Sequence, residues 1–587
     1  MQIKELKKWI VPALIILALE IGFSSFLTGV FTLAYERKSL LLTAIILTVL
    51  ILMFTPPQKN LLTIGAPLLF TISSISIKIL GQESLNASEI LRFIGFCTGA
   101  YSLLMAAGLF ITHSKLRKIY YITALLLFLL PFGALWFYYG ISGSWIHPDT
   151  IMAVLQSNTA ESQSYLKDNL TAGSVISILC TLAMLAAFVS SIRTFPTLSL
   201  RSFRSRQSIC FLVIFILTSG YLLRHGKNNA LMDIFRGTRQ YVQKYDDFAK
   251  NKASREAHLK QFSLTTNSDE KGVYLLVIGE SQNRLHMNAY GYERNTTPWL
   301  TPQKENRNFL FFDHAFSCHT HTVPVLTYAL TAKNQYNDQK LENAVSIIEM
   351  AKAAGFKTVW LSNQVRYGNY DTPISVIASE SDQQIWINHN IGETTRTNFY
   401  DGALIEKLRS LNYTDKMLIV VHLMGNHGSY SDRYPSDFDK FHGQNKTIDA
   451  YDNSILYNDY VMSQLYESAQ NIPNFQAMVY FSDHTDAVDQ GLSHDASNFV
   501  WPMTYIPFYM AFSPTYEKVH ASTFEMLQNH KASYFTNDLL FNALMGIMHI
   551  RAKSIYEPEN DFTSPTYNNN ESRFMTLYGK RKIIDRQ

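Results

Sequence analysis

Apolar runs fill the first part of the chain too densely for a soluble core. They lie at about 9–34, 39–55, 61–80, 92–113, 119–142, 173–193 and 208–223. A helix crosses a bilayer with roughly 20 mostly apolar residues, so residues 1–224 are expected to form a multi-pass membrane domain of about seven helices. The one long polar interruption is a loop at 143–172. Lys4, Lys7 and Lys8 precede the first run, and no small-residue cleavage site follows it, so it reads as an anchor with its start in the cytoplasm. Lys115, Arg117 and Lys118, and then Arg193, Arg201, Arg204 and Arg206, mark further cytoplasmic loops. Arg37 and Lys38 lie on the opposite side of this scheme. An odd number of crossings puts everything after 224 outside, which in a cell with two membranes is the periplasm.

From 225 onward the composition is that of a soluble domain. Residues 225–270 are polar with a helical pattern and are expected to be linker helices, followed by a globular domain at 271–587. The net charge of +4, from 51 basic and 47 acidic residues, is accounted for largely by the cytoplasmic loops and speaks against nucleic acid. Of four cysteines, Cys97, Cys180 and Cys210 belong to the membrane runs. Cys318 stands alone in the outer domain, which therefore has no internal disulfide.

Within that domain short β-type runs alternate with amphipathic helices, the pattern of a mainly parallel α/β sheet. The run at 273–278 ends in Gly279 and Glu280. KTVWL ends in Ser362, Asn363 and Gln364, MLIVVHL in Gly425, Asn426 and His427, and AMVYF in Ser482, Asp483 and His484. The carboxyl ends of parallel strands meet at one crevice. Two acids and an imidazole there are costly to bury unless they are hydrogen-bonded or hold a cation. Asp, Glu and His suit a catalytic zinc, and manganese is the alternative for an oxygen-rich set. Taken singly, Glu280 also reads as a helix-capping acid, Asp483-His484 as a solvated loop pair, and His422 and His427 as ordinary loop histidines. The stretch FSCHTHTVPVLTYALT, 316–331, adds Thr320, Thr322, His319 and His321 between aromatics. A threonine hydroxyl is a nucleophile only when a base or metal activates it, and otherwise the stretch is a Thr-rich turn.

The set VIGES, SCHTHT, WLSNQ, HLMGNHGSYSDRYP, YDNSILYNDYV and YFSDH, in this order, resembles the bacterial phosphoethanolamine transferases, membrane enzymes of the alkaline phosphatase and sulfatase superfamily. LQSNTAES, 155–162, resembles that family's periplasmic Asn-x-x-Glu segment. The resemblance implies an alkaline phosphatase/sulfatase-like fold for the outer domain. It implies a metal held by Glu280, Thr322, Asp483 and His484, with Thr322 as catalytic nucleophile. His427, His494, His422, Asn363, Gln364, Asn158 and Glu161 are its implied substrate-binding residues. Three features depart from the family: Cys318 lacks a paired cysteine, Thr-Asp follows Asp-His where Gly-Glu is usual, and the apolar runs outnumber the family's helices. NQVRYGNYDT and GLSHD are closer to the branch acting on lipopolysaccharide core or periplasmic glucans than to the lipid A branch.

The implied reaction moves phosphoethanolamine from phosphatidylethanolamine to a sugar hydroxyl through a phosphothreonine at Thr322. A glycerolphosphate transferase of the lipoteichoic acid type, or a metal-dependent phosphatase or phosphodiesterase, shares this chemistry. A sulfatase needs Cys-x-Pro/Ala-x-Arg, and Cys318 is followed by His-Thr-His-Thr. No apolar run carries the paired acids of an ion-coupled transporter.

Overall fold

The computed structural model describes residues 65–81, 85–156, 169–191, 226–260, 271–364, 373–388, 400–443, 445–552 and 555–586, with isolated residues between them. Chain packing separates two compact units, 1–151 with 169–239, and 152–168 with 240–587.

In the first unit three described helices are long and apolar enough to cross a membrane: α1 (Ala87–Leu109), α2 (Ser114–Ser142) and α3 (Ala172–Ser191). Asn86 starts α1 through a capping box with Glu89, each side chain satisfying the other's backbone N–H. Gly143, at φ +70°, ends α2. Where α2 meets α3, a Cβ on Gly140 would lie 2.4 Å from the Ser174 nitrogen, so only glycine permits that approach. Leu127, Leu130, Ile176 and Leu179 stay more than half exposed, as lipid-facing side chains do. The expected run at 61–80 is instead broken into short helices, Ala66–Ser73 and Ser76–Leu80. There the Ser73 and Ser74 hydroxyls donate to the Phe70 carbonyl and the Ser76 hydroxyl to the Ser73 carbonyl, competing with the helical ladder. The expected run at 9–34, and most of those at 39–55 and 208–223, lie outside the described residues.

The second unit is built on a seven-stranded sheet. In chain order its strands are β1 (Gly272–Gly279), β2 (Phe309–Phe311), β3 (Lys357–Ser362), β4 (Gln383–Trp386), β5 (Lys416–His422), β6 (Phe475–Ser482) and β7 (Phe508–Phe512). Their spatial order is β2-β7-β6-β1-β5-β3-β4, and β7 is antiparallel to both its neighbours. The central strand β1 is buried throughout because both faces are covered. Tyr274, Leu276 and Ile278 enter one core and Val273, Leu275 and Val277 the other. A strand buried on two sides has to be a continuous apolar run, which is how β1, β5 and β6 read in the sequence.

The division between the units falls inside helix α4 (Ala230–Lys250). Its later residues Tyr245 and Phe248, and Leu259 of α5 (Lys252–Leu259), are part of the core that Tyr274, Leu276 and Ile278 enter. Met152, from the loop expected at 143–172, is also in that core.

Candidate metal and nucleophile site

Strand register sets the site. Ile278 pairs with His422, Ser362 pairs with His422, and Gly279 pairs with Ser482, so β1, β3, β5 and β6 end level with one another. Glu280 and Asp483 each follow the last paired residue of their strand. The chain then turns sharply: Ser281 is at φ +54°, a region that L residues other than Asn and Asp rarely occupy. Its hydroxyl donates to Glu280 Oε1 at 2.8 Å and its N–H to Asp483 Oδ1 at 3.3 Å. The His484 N–H also donates to Asp483 Oδ1, at 2.7 Å.

Thr322 is the first residue of helix α6 (Thr322–Ala329). Its hydroxyl donates to Glu280 Oε2 at 3.1 Å and lies 3.1 Å from His484 Nε2. His484 Nε2 is 3.3 Å from Glu280 Oε1 and 3.3 Å from Asp483 Oδ2. Thr320, two residues earlier, is fully buried, and its hydroxyl has no hydrogen-bond partner among the described residues.

Glu280, Asp483 and His484 are all buried, and one donor atom from each falls within 4.8 Å of the others. Burial, and then the charge of Asp483, hold the Glu280 carboxyl well above the usual carboxylate range. Burial raises Asp483 to about 6. His484 is pushed well below its ordinary value by burial first, and then by His494 and His321. Asp483 Oδ2 receives no hydrogen bond among the described residues. Two crowded carboxylates and a neutral imidazole form a set that a divalent cation satisfies and that a proton satisfies poorly.

A second group adjoins the first through His484. His494 Nδ1 is 2.7 Å from Asp486 Oδ1, and the Tyr430 hydroxyl donates to Asp486 Oδ2 at 2.6 Å. The His494 ring is centred 4.2 Å from that of His484 and 5.6 Å from that of His321. Burial opposes protonation of His494, but Asp486 outweighs it and the pKa rises. His427 is held down to about 3 by burial, then by Arg433 and His494.

The remaining expected residues behave differently. Asn363 Nδ2 donates to Asp401 Oδ1, and Asp401 also receives the Met424 and Gly425 N–H groups. Gln364 Nε2 donates to the Leu423 carbonyl. Gln364 thus braces the loop after β5 directly, and Asn363 does so through Asp401. His422 is buried edge-on against Trp360, its ring nitrogens without hydrogen-bond partners among the described residues, and burial lowers it to about 3. It belongs to neither donor group. Asn158 and Glu161 lie outside the described residues. The sequence reading missed Asp486 and Tyr430 as a pair. Both stand in stretches it singled out, but 56 residues separate them, and only the fold shows that they meet.

The sulfatase family profile matches residues 273–550, the segment that carries every strand and site residue just described. The phosphoethanolamine transferase EptC of Escherichia coli K12 is 26% identical over 525 residues, covering 83% of this chain and 89% of its own. Over most of its length the chain is similar to phosphoethanolamine transferases, and it carries a sulfatase-family domain. This transferase resembles the crystal structure of the periplasmic domain of E. coli EptC in complex with zinc, at 27% identity and TM-score 0.50, covering 54% of this chain and 93% of that one. Its fold also matches the integral membrane protein EptA of Neisseria meningitidis, at TM-score 0.56 and 19% identity, over 85% of this chain and 98% of that one.

Proposed function

We propose that this transferase moves phosphoethanolamine from phosphatidylethanolamine to a lipopolysaccharide-core or periplasmic-glucan acceptor. In this reading it sits in the bacterial inner membrane with its catalytic domain in the periplasm. The observation that carries the proposal is the Thr322 hydroxyl, 3.1 Å from both Glu280 Oε2 and His484 Nε2 at the start of a helix. The zinc-bound EptC domain supports zinc as the ion, with manganese as the alternative, in a donor set of Glu280, Asp483, His484 and Thr322. When bound, the ion supplies positive charge that lowers the hydroxyl pKa and neutralises the phosphoryl oxygens.

Thr322 Oγ1 attacks the phosphorus, its proton leaving toward Glu280 Oε2, where it already points. The new Oγ–P bond replaces the P–O bond to diacylglycerol, whose oxygen takes a proton. His494, oriented by Asp486, whose charge favours its protonated form, is the group assigned to donate that proton. An acceptor hydroxyl then attacks the phosphothreonine and gives its proton back to His494, while the Oγ–P bond breaks and Thr322 Oγ1 recovers the proton held at Glu280. The N-terminus of α6 favours the anion at each stage.

The test uses the full chain in detergent with phosphatidylethanolamine labelled in its acyl chains. Wild-type protein should release labelled diacylglycerol and carry phosphoethanolamine on Thr322 by intact-mass and peptide analysis. Thr322→Ala should lose both. An adduct on Thr320, or diacylglycerol release by Thr322→Ala, would reject the mechanism.

A further inference from the structure

The nucleophile turn has no disulfide to hold it, since Cys318 is a free, buried thiol. A hairpin far along the chain lies against it. Met575–Thr576 pairs antiparallel with Arg581–Lys582, and the turn between them runs through Leu577 at φ +52°, Tyr578 at φ +55° and Gly579 at φ +84°. Left-handed backbone at two successive bulky residues is not a local preference and persists only where surrounding contacts impose it.

Those contacts lead to the residues on either side of Thr322. The Thr576 hydroxyl donates to the Ser317 carbonyl at 2.8 Å, and the Tyr578 N–H donates to the Cys318 carbonyl at 3.4 Å. The Tyr578 ring is centred 5.0 Å from His319, before the nucleophile, and is stacked 4.3 Å from Tyr328, after it. Its hydroxyl donates to the Pro324 carbonyl at 2.8 Å, in the first turn of α6. Gln335 binds both arms of the turn, donating to the Met575 carbonyl at 2.9 Å and accepting from the Gly579 N–H at 3.0 Å. On the other side of the same loop the Arg586 guanidinium lies 5.4 Å from the Phe316 ring.

We infer that the 575–582 hairpin is a clamp on the nucleophile, with Tyr578 as the positioning residue that fixes where Thr322 Oγ1 stands relative to Glu280 and His484. The inference rests on Thr322 being the nucleophile. Tyr578 acts by holding the backbone at Cys318 and Pro324, so that the α6 N-terminus cannot shift. A displacement of about 1 Å at a reacting atom is enough to cost roughly 100-fold in rate.

Three variants of the full chain, Tyr578→Ala, Tyr578→Phe and Thr322→Ala, test this by diacylglycerol release from labelled phosphatidylethanolamine and by elemental analysis of bound metal. Tyr578→Ala should lower kcat by about 10-fold or more, leaving KM within about twofold and metal content unchanged. Tyr578→Phe keeps the ring contacts and loses only the bond to Pro324, so its kcat should fall between those of wild type and Tyr578→Ala. A Tyr578→Ala kcat within about twofold of wild type overturns the clamp. So does a loss of kcat matched by loss of metal, or a change confined to KM. Should Tyr578→Ala fail to fold, Tyr578→Phe decides: an unchanged kcat overturns the inference, and a severalfold fall with metal retained supports it. Thr322→Ala separates the two readings, because residual activity there removes the nucleophile itself, whereas a dead Thr322→Ala beside an active Tyr578→Ala removes only the clamp.

Discussion

Gly425 lies against the backbone of Glu280, at φ +52°, and a Cβ there would stand 2.9 Å from the Glu280 nitrogen and oxygen and 3.0 Å from its Cβ. Gly425→Ala should therefore push the acid out of place, with a strain of about 1–3 kcal/mol. Elemental analysis should find less bound metal, and diacylglycerol release should fall with it. The same acids give the site a pH signature. Glu280 is raised above its unfolded value, as is Asp483, to about 6. Without metal their contribution to stability is present at low pH and is lost as pH rises through those folded-state values, because each must then ionise while buried. A cation removes that penalty, so chelation should lower the unfolding temperature of the catalytic domain more at pH 8 than at pH 5. An equal drop at both would mean that the ion sits elsewhere. These residues were legible in the sequence because each follows an apolar run, and the carboxyl ends of parallel strands are where ligands gather. Asp486 and Tyr578 were not legible. What each does depends on a partner brought to it by the fold, Tyr430 in one case and Pro324 in the other.

Helix α5 docks through one guanidinium that serves two carboxylates. Arg255 Nε is 3.1 Å from Glu349 and its Nη2 3.0 Å from Glu380, with all three side chains almost fully buried. Its Nη1 donates to the Phe248 carbonyl at 2.6 Å, closing the turn between α4 and α5. One positive charge cannot satisfy two buried acids. Burial, and then the charge of Glu349, raise Glu380 to about 7 despite hydrogen bonds from Ser346 and Arg255. A raised carboxylate stabilises the fold below its unfolded value and loses that contribution as pH climbs through about 7. Glu380→Gln keeps the shape and removes the titration. Its thermal unfolding should vary less between pH 5 and 8 than wild type, with a gain of about 2 °C or more at pH 8, followed by intrinsic fluorescence. A parallel pair of curves would show that Glu380 stays ionised throughout. At this scale the sequence showed the helical, polar character of 225–270 but not the docking, since a buried Arg-Glu-Glu group looks the same as a solvated charge run until the partners at 349 and 380 arrive. The strands were easier to read, because burial on both faces leaves an unbroken apolar run. The broken helix at 66–80 was hidden because hydropathy does not register serine hydroxyls competing for carbonyls.

For the whole molecule, the division of the chain into an apolar half and a polar half was the plainest message in the sequence, and the side on which the polar half lies is the step that everything else requires. In the proposed reaction the phosphatidylethanolamine headgroup meets a periplasmic acceptor only on the outer face, so a catalytic domain in the cytoplasm would leave the proposed nucleophile without its second substrate. The basic loops at 115–118 and 193–206 argue for a cytoplasmic start and an outward catalytic half, while Arg37 and Lys38 argue the other way. Two fusions resolve this. A reporter that fluoresces only in the cytoplasm should be dark when joined after Gln587 and bright when joined in the loop near Lys115, and a periplasm-specific enzyme reporter should give the reverse. Both halves of the result matter. A dark fusion at each point would mean that the loop near Lys115 is also outside, so that an even number of crossings, rather than the three read here, lies between it and the catalytic half. A bright fusion after Gln587 would put the metal site in the cytoplasm and end the proposed acceptor, whatever the geometry around Thr322.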